Sequence, residues 1–181
     1  QLLDCSGFTF RGCTMYSNIA NAHGGGIYAA NSTGLIVNCH IQNNVASPSA
    51  GEAYGGGIHL TNGSWVIRDS LVYYNKAVSA NARGGGAYFH NNSHALTNCL
   101  VLQNDALGAA GGGDGLWVGG SLEVQNCSIV GNKGQGVRGT ATSTIRDSIF
   151  WGNVDDLANA NGTLLYCDLQ NPEAGTGCFS A

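Results

Sequence analysis

An asparagine recurs along this chain without exception over six copies: Asn18, Asn44, Asn75, Asn104, Asn132 and Asn153. Each stands five residues after a small residue, in the order Cys13, Cys39, Ser70, Cys99, Cys127 and Ser148. Those small residues follow Gly12, Asn38, Asp69, Asn98, Asn126 and Asp147. Glycine, asparagine and aspartate tolerate positive φ, so this column reads as a tight left-handed turn. Apolar columns flank it: Met15, Ile41, Val72, Val101, Ile129 and Phe150 after the turn, and Ile36, Ile67, Leu96, Val124 and Ile145 before it. Farther upstream, Ile27, Ile58, Ala87, Leu116 and Val137 each follow a glycine. Apolar residues alternate within these short segments, which argues for three strands per copy and against helix.

The copies recur at intervals between 20 and 31 residues. A repeat this short cannot bury its own apolar side and must stack on its neighbours, each strand pairing with its equivalent. The fold class is therefore all-β: a single-stranded right-handed parallel β-helix of about six coils, roughly 29 Å tall at the usual strand spacing. It forms one domain over 1–181, with a lead-in segment 1–12, coils over 13–170 and a tail 171–181. The asparagine column is expected to hydrogen-bond along the stack as a structural ladder. Glycine runs open a strand wherever the chain re-enters from a loop of variable length, such as "VASPSAGEAY" or "KAVSANAR". Solenoids normally carry caps, and no cap helix is legible in the sequence at either end.

Composition narrows the function. Seven basic and 11 acidic residues leave a charge of −4, with 10% of residues charged and no Lys/Arg run, so no nucleic acid partner is expected. No apolar run reaches membrane-spanning length, so no membrane insertion is expected. Seven cysteines in a chain this poor in charge point to an extracellular or cell-surface setting.

"FWGN" at 150–153, with "MYSN", "IQNN", "VYYN", "VLQN" and "IVGN", and the GGGI and GGGA copies, resemble the FxxN and GGA-I repeats of chlamydial polymorphic outer-membrane proteins and related secreted microbial surface proteins. The resemblance covers roughly residues 8 to 170. It implies a right-handed β-helix and a surface adhesin or passenger role.

Candidate sites follow from stacking. Tyr28, His59, Tyr88 and Trp117, with Arg138 beyond, share an outward column of the first strand. Such a stripe suits sugar rings or a partner surface, or reflects only the liking of aromatics for strand positions. On the third strand Leu71, Tyr73, Leu100, Leu102, Val130, Ile149 and Trp151 face outward, and an apolar face of this size asks for cover by another copy or by the chain's own tail. Sequons at Asn31, Asn62 and Asn91 fall in one turn column, with another at Asn161. They are glycosylation candidates, although asparagine suits such turns regardless. The sequon at Asn126 lies in the tight turn beside the core and is expected to stay unmodified. Cys13 with Cys39, Cys99 with Cys127, and Cys167 with Cys178 are disulfide candidates, with stacked thiols the competing arrangement and Cys5 left over. Asp69 and Asp147 read as turn residues, and Asp155 with Asp156 as loop. No catalytic residue, metal site or cofactor is expected. The residues point to an extracellular structural or adhesive solenoid that self-associates into a fibre or layer, possible glycans included. The alternative on the same fold is a polysaccharide lyase, a glycoside hydrolase or a carbohydrate-binding module.

Overall fold

A computed structural model of the chain describes residues 1–108, 112–139, 142–158, 162–171 and 178–180. Every described element is a β-strand, and every strand pairing is parallel. One coil shows the plan: Ile58–Thr61, Trp65–Arg68, Leu71–Tyr73 and Lys76–Val78 each belong to a different sheet. The first and second sheets have seven strands, the third has eight and the fourth has four. Equivalent residues pair in register, as in Ile27 with Ile58, Ile58 with Ala87, and Ala87 with Leu116. The stack of like on like inferred from the columns is what the chain builds.

Turns between strands fall where expected. Asn38, Asp69, Asn98, Asn126 and Asp147 have φ between 51° and 54°, and Gly12 has 61°. Asp69 and Asp147 therefore serve the backbone. The core fills with the predicted aliphatic columns: Ile36, Ile67, Leu96, Val124 and Ile145 are buried, as are Ile41, Val72, Val101, Ile129 and Phe150. Trp65, Phe89 and Phe150 are the bulkiest fully buried side chains.

Three features differ from the sequence reading. The first two sheets contain seven tiers where six were expected. The seventh escapes the asparagine register because Asn171 follows Cys167 by four residues, not five. Leu2–Leu3 and Phe8–Arg11, in the supposed lead-in, already pair with the second coil. Finally, the first four coils have a fourth strand inside what looked like loops: Ile19–Ala20, Val45–Ala46, Lys76–Val78 and Asp105–Leu107. Ala46, Ala53, Ala77, Ala82 and Ala106 form a second small core beneath it. The stacked file of these strands is alanine throughout, Ala20, Ala46, Ala77 and Ala106, so no bulky apolar periodicity marks them.

The glycine runs are steric necessities. A Cβ on Gly56 would lie 2.3 Å from the Lys76 carbonyl carbon and 2.4 Å from the Gly85 oxygen. Gly55 before it has φ of +64° and turns the chain into the strand.

Candidate functional site

The first sheet places Tyr28, His59, Tyr88, Trp117 and Arg138 in file, as read from the sequence. It does not leave them as an open platform. Three loop residues fold over the file: His23, Tyr54 and Arg83, each five positions before a member of it and each directly ahead of a glycine run. Parallel bridges from Tyr54 to Arg83 and from Arg83 to Gly112 hold these segments. His23 stacks on Tyr54 at 4.8 Å, Tyr54 on Tyr88 at 4.5 Å and Tyr88 on Trp117 at 4.6 Å, with planes 10–15° apart. His59 inserts edge-on against Tyr28, Tyr54 and Tyr88. The Arg83 guanidinium lies over the Tyr54 and Trp117 rings. Tyr88 and His59 are only 4% and 5% exposed, so the expectation of a solvent-facing stripe is corrected: ring faces are spent on one another. Burial, then the neighbouring His23 and His90, drives the His59 pKa down to about 3. Burial also lowers His23, against the pull of Glu52, and raises Tyr88, against Arg83. The fixed spacing of His23, Tyr54 and Arg83 was a readable signal, hidden by the variable loops around it.

On the third sheet Leu71 pairs with Leu100 and Tyr73 with Leu102, then Leu102 with Val130 and Val130 with Trp151. Ser128 interrupts the other file between Leu100 and Ile149. Ile149 and Trp151 are 46% and 47% exposed. Phe179–Ser180 of the tail adds to the edge of this sheet, beside Asp168–Leu169.

Asn31, Asn62 and Asn91 line an exposed corner with φ of 51°, 54° and 58°. Asn31 Nδ2 donates to Asp4 Oδ1 at 3.0 Å and Asn91 Nδ2 to Asn62 Oδ1 at 2.7 Å. Asn161 lies outside the described residues. Asn126 points to solvent and donates to Asn98 Oδ1, so it is not sheltered beside the core as its turn suggested.

The buried asparagine ladder is continuous. From Asn18 to Asn153, each Nδ2 donates to the Oδ1 of the next rung at 2.9–3.1 Å, and each backbone N–H shares that oxygen. From Asn44 onward Nδ2 also reaches back to a carbonyl of the coil before, Met15, Ile41, Val72, Val101 and Ile129 in turn. The last receiver is not an asparagine. Asp156, fully buried, occupies the column of Gly26, Gly57, Gly86, Gly115 and Gly136. Its Oδ1 accepts from Asn153 Nδ2 at 3.0 Å and its Oδ2 from the Asn171 N–H at 2.8 Å. The reading of Asp156 as loop is corrected: it lies in a strand of the first sheet, and its carboxylate takes the Asn153 amide hydrogen that an asparagine of the next rung would otherwise receive.

No disulfide is formed among Cys5, Cys13, Cys39, Cys99, Cys127 and Cys167, so the candidate pairs Cys13–Cys39 and Cys99–Cys127 give way to stacked thiols. In-register stacking aims each sulfur at its own backbone: Cys13, Cys39, Cys99, Cys127 and Cys167 bond the carbonyl two residues back, as Ser70 and Ser148 do with their hydroxyls. Cys178 continues the column, receiving the Cys167 N–H at 3.5 Å. Cys5 belongs to another corner, beneath Ser32. Burial pushes the Cys39 and Cys167 thiols up.

Most carboxylates already have structural partners. Asp105 meets Lys133 Nζ at 3.0 Å, Asp114 accepts the Ala106 N–H, and Glu123 meets Arg146 at 2.9 Å. Burial, with Asp105 nearby, raises the Asp114 pKa. Among the described residues no three His, Cys, Asp or Glu side chains converge in a way that would hold a metal ion. The second sheet has a shallow groove of about 430 Å³, lined by Ser64, Ser93, Ser121, Thr142, Thr144 and Glu123 among others. Sequence reasoning passed over this row because single hydroxyls beside turns look like turn residues.

No curated protein and no solved structure matches the chain, so the narrower likeness to chlamydial repeats gains no support. The family model described as "Right handed beta helix region" matches residues 1–172, which agrees with the coils traced above. The chain belongs to the right-handed β-helix family.

Proposed function

We propose that this chain is a structural, adhesive rod of the extracellular space or cell surface that associates side by side with copies of itself through the outer face of the third sheet. The observation that carries this reading is the apolar file Tyr73, Leu102, Val130 and Trp151, with Ile149 beside its end; Trp151 and Ile149 are each nearly half exposed above ordered strands. A face of this kind loses water on association, and about 25 cal/mol is gained per Å² of apolar surface covered. The engagement of the carboxylates supports a structural role over acid–base chemistry. The cysteines give the extracellular setting no support, because thiol and hydroxyl interchange within their column. Sugars on the exposed file Asn31, Asn62 and Asn91 would fit that setting.

Analytical ultracentrifugation of wild type and of Trp151→Glu tests the association. Wild type is expected to grow in mass with concentration and the variant to remain monomeric, with unchanged circular dichroism. A wild type that stays monomeric at high concentration overturns the reading.

A second reading, carbohydrate binding, is favoured by the groove on the second sheet, where the hydroxyls of Ser64, Ser93, Ser121 and Thr144 alternate with apolar side chains such as Val66 and Ala95, and not by the closed aromatic stack. Titration with neutral and acidic oligosaccharides, scored also for new chain ends, separates binding from depolymerisation.

A further inference from the structure

The outer face of the third sheet carries an order that reads nearly the same in both directions. One outward file runs Gln42, Tyr73, Leu102, Val130 and Trp151, tier by tier. Gln170 follows, its N–H bonded to the Phe150 carbonyl at 3.1 Å. From either end the file gives amide, aromatic ring, aliphatic, aliphatic, aromatic ring, amide. The file beside it runs His40, Leu71, Leu100, Ser128, Ile149 and Asp168. Its middle tiers are mostly apolar, and its ends are an imidazole and a carboxylate. Both ends are exposed, and among the described residues neither side chain has a hydrogen-bond or ion-pair partner. Five tier steps separate them, about 24 Å at the usual strand spacing, so within one chain they do not meet.

We propose that this face pairs with the same face of a second copy running the opposite way, about a two-fold axis parallel to the strands. The proposal rests on the side-by-side reading above and fixes its orientation. A two-fold of that direction keeps each file opposite itself and reverses its tiers. Trp151 then meets Tyr73, Leu102 meets Val130, and Ile149 meets Leu71. The smallest tier, Ser128 and Val130, faces the leucine tier. Asp168 of each copy comes opposite His40 of the other, so a carboxylate meets a ring N–H twice per pair. A two-fold along the rod, which keeps the copies parallel, fits less well. It sets Ser128 and Val130 against their own tier, beside a tier of two tryptophans. It also leaves His40 facing Gln42 and gathers both Asp168 carboxylates at one end, where like charges repel. A face one strand wide falls short of the roughly 1,200 Å² of a standard interface, so the pair is a weak, exchanging one.

Sedimentation equilibrium of wild type, His40→Glu, Asp168→Lys and the double variant tests the orientation. Both positions are exposed, so circular dichroism should not change. Each single variant is expected to raise the dimer Kd about fivefold, since two contacts are lost per pair. The double variant, which restores opposite charges across the two-fold, should return to within about twofold of wild type. In a parallel pair residues 40 and 168 stay about 24 Å apart, and the double variant would only combine the two losses. That outcome, or single variants that leave Kd unchanged, overturns the antiparallel pair. The side-by-side reading then still stands if wild type associates and Trp151→Glu does not. A wild type that stays monomeric overturns both.

Discussion

Asn75 shows how much one residue can carry in a stack. Its Nδ2 bonds both Asn104 Oδ1 and the Ile41 carbonyl, and its Oδ1 receives two hydrogens from Asn44, all fully buried. Asn75→Leu leaves the buried Asn44 N–H without its acceptor and takes one bond each from Asn44 Nδ2, Asn104 Oδ1 and the Ile41 carbonyl, although Asn44 Nδ2 keeps Met15 and Asn104 Oδ1 keeps the N–H of residue 75. A buried unpaired polar group costs about 1–3 kcal/mol, so a loss of at least that size is expected in a urea titration. An exposed asparagine such as Asn43 should cost far less. The ladder was legible because identical amides must recur at one position to bond each other. Asp156 was not legible, because it does the work of a rung from the glycine column, at another place in the repeat. Disulfides were misread for a related reason: cysteine spacing shows which thiols neighbour each other but not where the sulfurs point.

At the level of elements, the three principal sheets were visible as alternating columns and the fourth was not. Its strands are two or three residues long, and they pack alanine on alanine. Ala77 is fully buried at its centre, paired with Ala46 and Ala106. Ala77→Leu is therefore expected to destabilise by about 1–3 kcal/mol through overpacking, read from the thermal midpoint. If these segments were loose loops, the extra carbons would be accommodated with no change. The aromatic file shows the same limit from the other side. Its strand positions could be read from the columns, but the loops that cover it vary in length, and only tertiary folding brings Tyr54 and Arg83 onto Tyr88 and Trp117.

The whole molecule is stacked rather than rounded, and its acid response should be global. His59 and His94 are buried in different sheets, with pKa values pushed by desolvation to about 3 and about 4, below the ordinary 6.5. Both fold as neutral rings, so the unfolded chain binds the more protons between those values and 6.5. Stability is then full above pH 6.5 and falls as pH drops towards 3, by up to on the order of 4 kcal/mol for His59. Urea midpoints from pH 7 to pH 4 should show this slope, and His59→Phe should flatten it. Tier count and the carboxylate that follows the last amide of the ladder were the parts of the global plan that columns alone did not convey, since both belong to a seventh copy whose asparagine is out of step.

In-register pairing has one more implication, for heredity more than for mechanics. Where each period meets the next through the same contacts, excising or duplicating a whole period, for instance the stretch from one glycine run to the next, would bring matching surfaces together at the splice. Length is thus something this architecture can vary by unequal recombination without inventing a new junction.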